Sequence, residues 1–244
     1  MSFSEDEIER YARHLVLAEV GGPGQQALKR ARVAVIGLGG VGGPAALYLA
    51  AAGVGTLALI DDDAVALSNL QRQVQFGMGD LGAPKVEAAK AGLTALNPDV
   101  TVQTQCTRLT PANAADLLAD ADVVIDGTDD FGTRFAVNAA CVSVGVPLVS
   151  GALGRWNGQV AVFAGRPCYR CLVPESPPDA DTCARVGVVG ALAGVVGSMA
   201  ALEAIKIITG AGRPLMGRLM LYDGLAGTAR TVTVAADPAC VICG

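Results

Sequence analysis

Hydrophobic and polar positions alternate along this chain in short blocks. Glu5–Leu17 is amphipathic at helical spacing, Gly21-Gly-Pro-Gly24 is expected to break it, and Gln25–Ala31 resumes as a second short helix. Arg32–Ile36 is a run of Val, Ala and Ile ending in glycines, the pattern of a strand buried on both faces of a parallel sheet. Helix Pro44–Ala52, stopped by Gly53, and strand Thr56–Ile60 follow. The rhythm continues with helix Pro84–Leu96, strand Val100–Gln105, helix Ala112–Ala119, strand Asp122–Ile125, helix Thr133–Val144 and strand Pro147–Ser150. Strands alternating with helices in this way predict an α/β fold: a Rossmann-like, mostly parallel sheet with helices on both faces.

After Gly151 the rhythm changes. Gln159–Ala164 reads as a strand, Pro174–Asp181 as a Pro- and Asp-rich loop, and Gly217–Asp223 and Arg230–Ala235 as two last strands. This predicts an antiparallel C-terminal extension of the same sheet. The expected organisation is one domain over 1–244, with a helical arm at 1–30, a βαβ core at 31–150 and the extension at 151–244. Val186–Leu202 is the most apolar stretch, and its length approaches that of a membrane span. Its Gly/Ala content and its charged continuation from Glu203 to Lys206 favour a buried core helix instead.

Composition narrows the function classes. Of 244 residues, 52% are hydrophobic and 17% charged, which excludes a disordered chain. The net charge is -5 without a basic run, so neither nucleic acid nor an anionic membrane is an expected partner. The acidic, polar N-terminus does not read as a signal peptide, and a cytoplasmic location is expected. Seven cysteines without an export signal suit a reducing compartment, where paired cysteines bind metal more often than they cross-link.

Gly37-Leu-Gly39-Gly40-Val-Gly42 follows a strand and opens a helix, the setting in which G-x-G-x-x-G signifies nucleotide binding. Asp61 ends the next strand, where an acid usually bonds ribose hydroxyls. These two features suit NAD, FAD or ATP alike. The residues that follow favour a triphosphate: Arg72 offers a forked donor, Asn69 a neutral one, and Lys85 a mobile point charge. Asp129, past the end of strand Asp122–Ile125, suits Mg²⁺, while Asp130 fits the N-cap of the following helix. The only histidine, His14, is remote in sequence, which leaves a Ser–His hydrolase or His-dependent dehydrogenase unsupported.

Cys168-Tyr-Arg-Cys171 and Cys240-Val-Ile-Cys243 form two knuckles that together predict a structural Cys₄ zinc site fastening the C-terminal tail to the body. Cys106 and Cys141 read as core. Cys183 lies in the polar loop beside Arg185, which suits either a reactive thiol or an uninvolved one.

These motifs in this order, with Arg10-Tyr-Ala-Arg13, Ser68-Asn-Leu-Gln-Arg-Gln73, Pro84-Lys-Val-Glu87 and Thr128-Asp129, resemble the MoeB/ThiF/HesA family of adenylyltransferases, relatives of the ubiquitin-activating enzymes. The likeness is greatest to its MoeB-like members. It implies that ATP and Mg²⁺ are used to adenylate the C-terminal Gly-Gly carboxylate of a ubiquitin-like sulfur-carrier protein. By position, Asp61 would hold the ribose, Asp129 the Mg²⁺, and Asn69, Arg72 and Lys85 the phosphates. Gly37, Gly39, Gly40, Gly42, Ser68 and Asp130 would complete the nucleotide site. Arg13 would reach into the neighbouring subunit of a homodimer, and Cys183 of the crossover loop would join sulfur transfer in ThiF-like members. His14 and Asp130 depart from the family's usual Gln and Asn. No rhodanese-like segment follows Gly244, so sulfur is expected from a separate sulfurtransferase or cysteine desulfurase. The alternatives are an NAD(P)-dependent oxidoreductase and a non-catalytic carrier-binding homologue. The sequence does not choose among molybdopterin, thiamine, thio-tRNA and cysteine pathways.

Overall fold

The computed structural model describes residues 3–177 and 187–244. One eight-stranded sheet organises them, in the order β3-β2-β1-β4-β5-β6-β7-β8. Strands β1 (Arg32–Ile36), β2 (Thr56–Ile60), β3 (Thr101–Gln105), β4 (Val123–Asp126) and β5 (Leu148–Gly154) are parallel. Strands β6 (Asn157–Phe163), β7 (Arg218–Asp223) and β8 (Thr228–Thr233) extend the sheet antiparallel. The mostly parallel α/β sheet and its antiparallel extension are those the sequence pattern predicts.

Both faces of the central strands are apolar because both are covered. Side chains alternate across a strand, so Val33, Val35, Leu57 and Leu59 enter one core while Ala34, Ile36, Ala58 and Ile60 enter the other. Helices α3 (Gly21–Arg30), α4 (Gly42–Ala51), α5 (Lys85–Leu96) and α9 (Gly190–Thr209) cover the first face with Leu28, Leu49, Leu93 and Val196. Helices α6 (Ala114–Leu118), α7 (Phe131–Val144) and α8 (Tyr169–Leu172) cover the second with Leu118, Val137 and Tyr169. Each fully buried Leu or Ile contributes about 1.5–3 kcal/mol of transfer free energy.

Register decides where the chemistry sits. Ile36 pairs with Ile60 and with Asp126, Ile60 with Gln105, and Asp126 with Ser150. The carboxyl ends of the parallel strands are therefore level. The chain winds from β1 toward β3 on one side and from β4 toward β5 on the other, so a crevice opens between β1 and β4 where the winding reverses.

Three sequence expectations differ from the structure. Glu5–Leu17 is two helices, α1 (Glu5–Arg10) and α2 (Ala12–Leu15), divided at Tyr11, whose buried hydroxyl accepts from Asn97 Nδ2 at 2.8 Å. Gly21–Gly24 does not break a helix but begins α3, where Gly24 faces Val20 and Thr209 of α9. Cys106 is exposed, because it follows the half-solvated edge strand β3. α9 is long and apolar enough to cross a membrane by length and composition, yet Leu192, Ala200, Ala201 and Ala204 are buried within the first core.

Candidate active site

The turn after β1 opens with Gly37 at φ 79°, a region that favours glycine. Gly42 starts α4, and a Cβ there would come within 1.9 Å of the Gly37 carbonyl oxygen. The turn is held from β2 by Asp61, whose Oδ2 accepts from the Leu38 amide at 2.6 Å and whose Oδ1 accepts from the Asp63 amide at 2.8 Å. Burial pushes the Asp61 carboxyl above its ordinary value, and the Lys85 ammonium and these amides oppose the shift without cancelling it.

A cavity of about 460 Å³ occupies the crevice, within the roughly 300–1,000 Å³ typical of small-molecule sites. Gly37, Gly39, Gly40 and Asp61 form one wall. Asn69, Arg72, Lys85, Asp129 and Asp130 also line the cavity. Gly42 and Ser68 do not line it: Gly42 is the packing glycine of the turn, and the Ser68 carbonyl accepts from Arg72 Nη1 at 3.1 Å. Arg13 is exposed on α2, away from this cavity. Cys183 lies outside the described residues.

The cations and carboxylates are unequally committed. Lys85 is buried, with Nζ 2.6 Å from Asp63 and 4.0 Å from Asp61. Asn69 Oδ1 accepts from the Ala66 amide at 3.0 Å, so its amide nitrogen is the group left for a ligand. Asp129 makes no hydrogen bond or ion pair among the described residues and borders the cavity. Asp130 instead caps α7, accepting from the Thr133 amide at 2.9 Å, and pairs with Arg108 at 3.3 Å. Burial would raise its pKa, but Thr133, Arg108 and Arg134 outweigh that and hold it below the ordinary value.

Sequence reasoning missed several groups here. Asp126 shapes the turn before Asp129: its Oδ1 accepts from the Thr128 amide at 2.9 Å and hydroxyl at 2.6 Å. Arg134 is buried and donates to the carbonyls of Thr128 and Gly151, the latter at 2.9 Å. Gln73 is buried beside the cavity with Oε1 unpartnered among the described residues. The one available signal for Arg134 was a lone charge in the apolar repeat of α7. Gln73 closes the Ser68–Gln73 run, where its neighbours drew the assignment, and Asp126 directly follows the expected strand Asp122–Ile125.

Beside Asn138, midway along α7, the four cysteines converge. Their sulfurs all lie within 4.8 Å of one another, with Cys168–Cys240 at 3.6 Å and Cys171–Cys243 at 3.5 Å. A tetrahedral zinc with Zn–S near 2.3 Å sets its sulfurs about 3.8 Å apart, so this donor set fits zinc. Outer contacts support it: Asn138 Nδ2 donates to Cys168 Sγ at 3.5 Å and the Asp237 amide to Cys171 Sγ at 3.4 Å. Cys141 is inert core, its thiol pushed up to about 12 by burial and then by Asp126.

Residues 11–242 match the ThiF family. The chain is 46% identical to the sulfur carrier protein adenylyltransferase of Thermus thermophilus, across 100% of this chain and 93% of that one. It is 44% identical to the molybdopterin-synthase adenylyltransferase of Escherichia coli, across 99% and 98% of the two chains. A crystal structure of E. coli MccB with MccA-N7isoASN superposes with a TM-score of 0.86 at 23% identity, covering 100% of this chain and 76% of that one, a likeness of fold.

Proposed function

The chain belongs to the ThiF family, and from that membership we propose that it adenylates, with ATP, the C-terminal Gly-Gly carboxylate of a ubiquitin-like sulfur-carrier protein. One observation carries the reading: Arg72, Lys85 and the uncommitted Asp129 converge on a single cavity beside the glycine turn. Both relatives named above are adenylyltransferases. An oxidoreductase would leave these cations and the cysteine cluster without a task, and a carrier-binding protein without catalysis would not need them.

In this reaction a carboxylate oxygen of the carrier attacks the α-phosphorus of ATP. A new P–O bond forms, the bond between the α-phosphorus and its bridging oxygen breaks, and pyrophosphate leaves with that electron pair. The chain's part is to position and to neutralise. Asp61 fixes the glycine turn and retains carboxylate lone pairs for ribose hydroxyls. Arg72 and Lys85 meet the phosphates, which requires Lys85 to exchange Asp63 for a phosphate oxygen. Asp129 would hold a bound Mg²⁺, whose charge would offset that of the triphosphate. Zinc on the four cysteines would have no open position and would serve structure alone.

A homodimer is part of the proposal. Pro44, Leu47, Tyr48, Val74, Val195 and Met199 line an apolar groove of about 780 Å³ along α4 and α9, and Tyr48 and Val74 are exposed by 58% and 69%. A surface of this kind suits a partner, and the arm carrying Arg13 adjoins it where Arg10 donates to the Leu96 carbonyl at 3.0 Å. The thiocarboxylate that follows adenylation needs a sulfur donor, a separate sulfurtransferase or cysteine desulfurase. The cysteine cluster, read as zinc thiolates, suits a reducing compartment such as the cytoplasm.

Pyrophosphate release, measured against a panel of Gly-Gly-ended carriers, tests the reading. Release should depend on one of them and should fall by about 100-fold or more in Asp129→Ala. No release with any carrier sinks the reading, and unchanged turnover in Asp129→Ala removes the role given to that carboxylate.

A further inference from the structure

Arg134 is a guanidinium with only 6% exposure that takes part in no ion pair among the described residues. It donates instead to the carbonyls of Thr128 and Gly151, the latter at 2.9 Å, and weakly toward the Ser150 hydroxyl at 3.4 Å. Burial opposes this charge, but the nearby Asp126 and Asp129 carboxylates and Tyr169 outweigh that cost, so the cation is held without a direct ion pair and its short bonds fall on backbone. Both carbonyls lie just beyond β4 and β5, level with each other through the Asp126–Ser150 pairing. The Thr128 carbonyl belongs to the peptide that leads into Asp129, so the bond from Arg134 sets the plane of that peptide and the direction in which the Asp129 side chain leaves it.

The guanidinium is itself set from the opposite side. Its carbon lies 6.0 Å from the centroid of the Tyr169 ring. The Tyr169 amide donates to Asn138 Oδ1 at 2.7 Å, and Asn138 Nδ2 donates to Cys168 Sγ at 3.5 Å. Arg134 and Asn138 are four residues apart on α7 and share a helix face. A continuous run of contacts therefore joins the cysteine cluster to the Thr128–Asp129 turn.

We propose that Arg134 is a positioning residue: it holds the Thr128–Asp129 peptide so that the Asp129 carboxylate meets the metal carried by the nucleotide, and Tyr169 and Asn138 set it from the cysteine cluster. This rests on the reading of Asp129 given above. The test is calorimetric binding of ATP to the full chain across a Mg²⁺ titration, a readout that needs no carrier.

Arg134→Lys keeps the charge but loses the fork that spans two carbonyls. It should raise the Mg²⁺ concentration for half-maximal tightening by about 10- to 100-fold, the range for outer partners of metal ligands. Its affinity for ATP without Mg²⁺ should stay within about twofold of the unaltered chain. Tyr169→Leu, which removes the ring and spares all four cysteines, should move the Mg²⁺ response in the same direction with zinc content unchanged, and it serves if Arg134→Lys does not fold. Variants that melt earlier yet keep the original Mg²⁺ response would make Arg134 merely structural and overturn the proposal. Asp129→Asn run alongside separates the two levels. If it too leaves the Mg²⁺ response untouched, the reading of Asp129 fails; if it shifts the response while Arg134→Lys does not, only the positioning role fails.

Discussion

Gly42 and Gly92 show how differently one residue type is used in this chain. A Cβ at position 42 would meet the Gly37 carbonyl oxygen at 1.9 Å, whereas one at position 92, on the exposed face of α5, would meet nothing within 4 Å. Gly42→Ala should cost about 3 kcal/mol or more of stability through forced backbone movement. Gly92→Ala should instead gain about 0.5–1 kcal/mol from helix propensity. Urea denaturation of the two variants reads both signs. At this scale the sequence revealed residues whose type is rare in its setting: the glycine run, Asp61, Arg72, Lys85, Asp129 and the paired cysteines. It did not reveal Arg134, Asp126 or Gln73, whose importance comes from what folds against them. Nor did it separate Asp129 from Asp130 fully, since a helix cap and a ligand carboxylate carry the same side chain.

Among elements, the N-terminal arm is fastened by polar bonds more than by core. Glu7 pairs with Lys29 at 2.6 Å within a capping box formed with Ser4, and His14 Nδ1 meets Gln25 Oε1 at 2.9 Å. Gln25 Nε2 already donates to the Ala52 carbonyl, so His14 must donate from Nδ1. The histidine that stands in place of the family's Gln thus keeps an amide-like bond to the body. The Lys29 ammonium, aided by Ser4, holds the Glu7 carboxyl below its ordinary 4.5 against the opposing effect of burial. A lowered folded-state pKa contributes stability that is present above the unfolded value and is lost as pH falls through the folded one. Hydrogen exchange of the α1 amides should therefore quicken as pH drops below about 4.5, relative to the sheet amides, and Glu7→Gln should abolish that acid-dependent increment. An exchange rate that stays pH-independent after correction for intrinsic chemistry would contradict the account.

The cysteine knuckles are the second element held by chemistry outside the core. Zinc removal by a chelator should free the tail from Asp237 onward and lower Tm by at least about 6 °C, with Cys240→Ser giving the same loss and no bound zinc. Strands and helices with a strong period were legible nearly to the residue, β1 and β2 to their ends. The arm was not, because Tyr11, which divides its first two helices, is held by Asn97, distant in sequence.

For the whole molecule, the parallel core and the antiparallel extension follow from the order of apolar runs and the sequence predicts both, whereas the switch point between β1 and β4 comes from the strand order in space. The groove along α4 and α9 does not follow in that way, since Tyr48 and Val195 lie within runs that read simply as core. Tyr48→Asp should convert a dimer into monomers on size exclusion with light scattering. A monomeric parent chain at micromolar concentration would refute the proposed assembly.

The level strand ends have a consequence for how this molecule tolerates change. One edge of the sheet carries Gly37, Asp61 and Gly127 in register, and the opposite edge carries only connections such as the exposed Asp120 turn. A residue inserted between Ile60 and Asp61 would reverse the side of the pleat on which that carboxylate leaves the strand. A residue inserted at Asp120 changes only the slack in a turn. The two edges therefore accept length variation unequally, and a tag or second module spliced into the chain belongs on the far one.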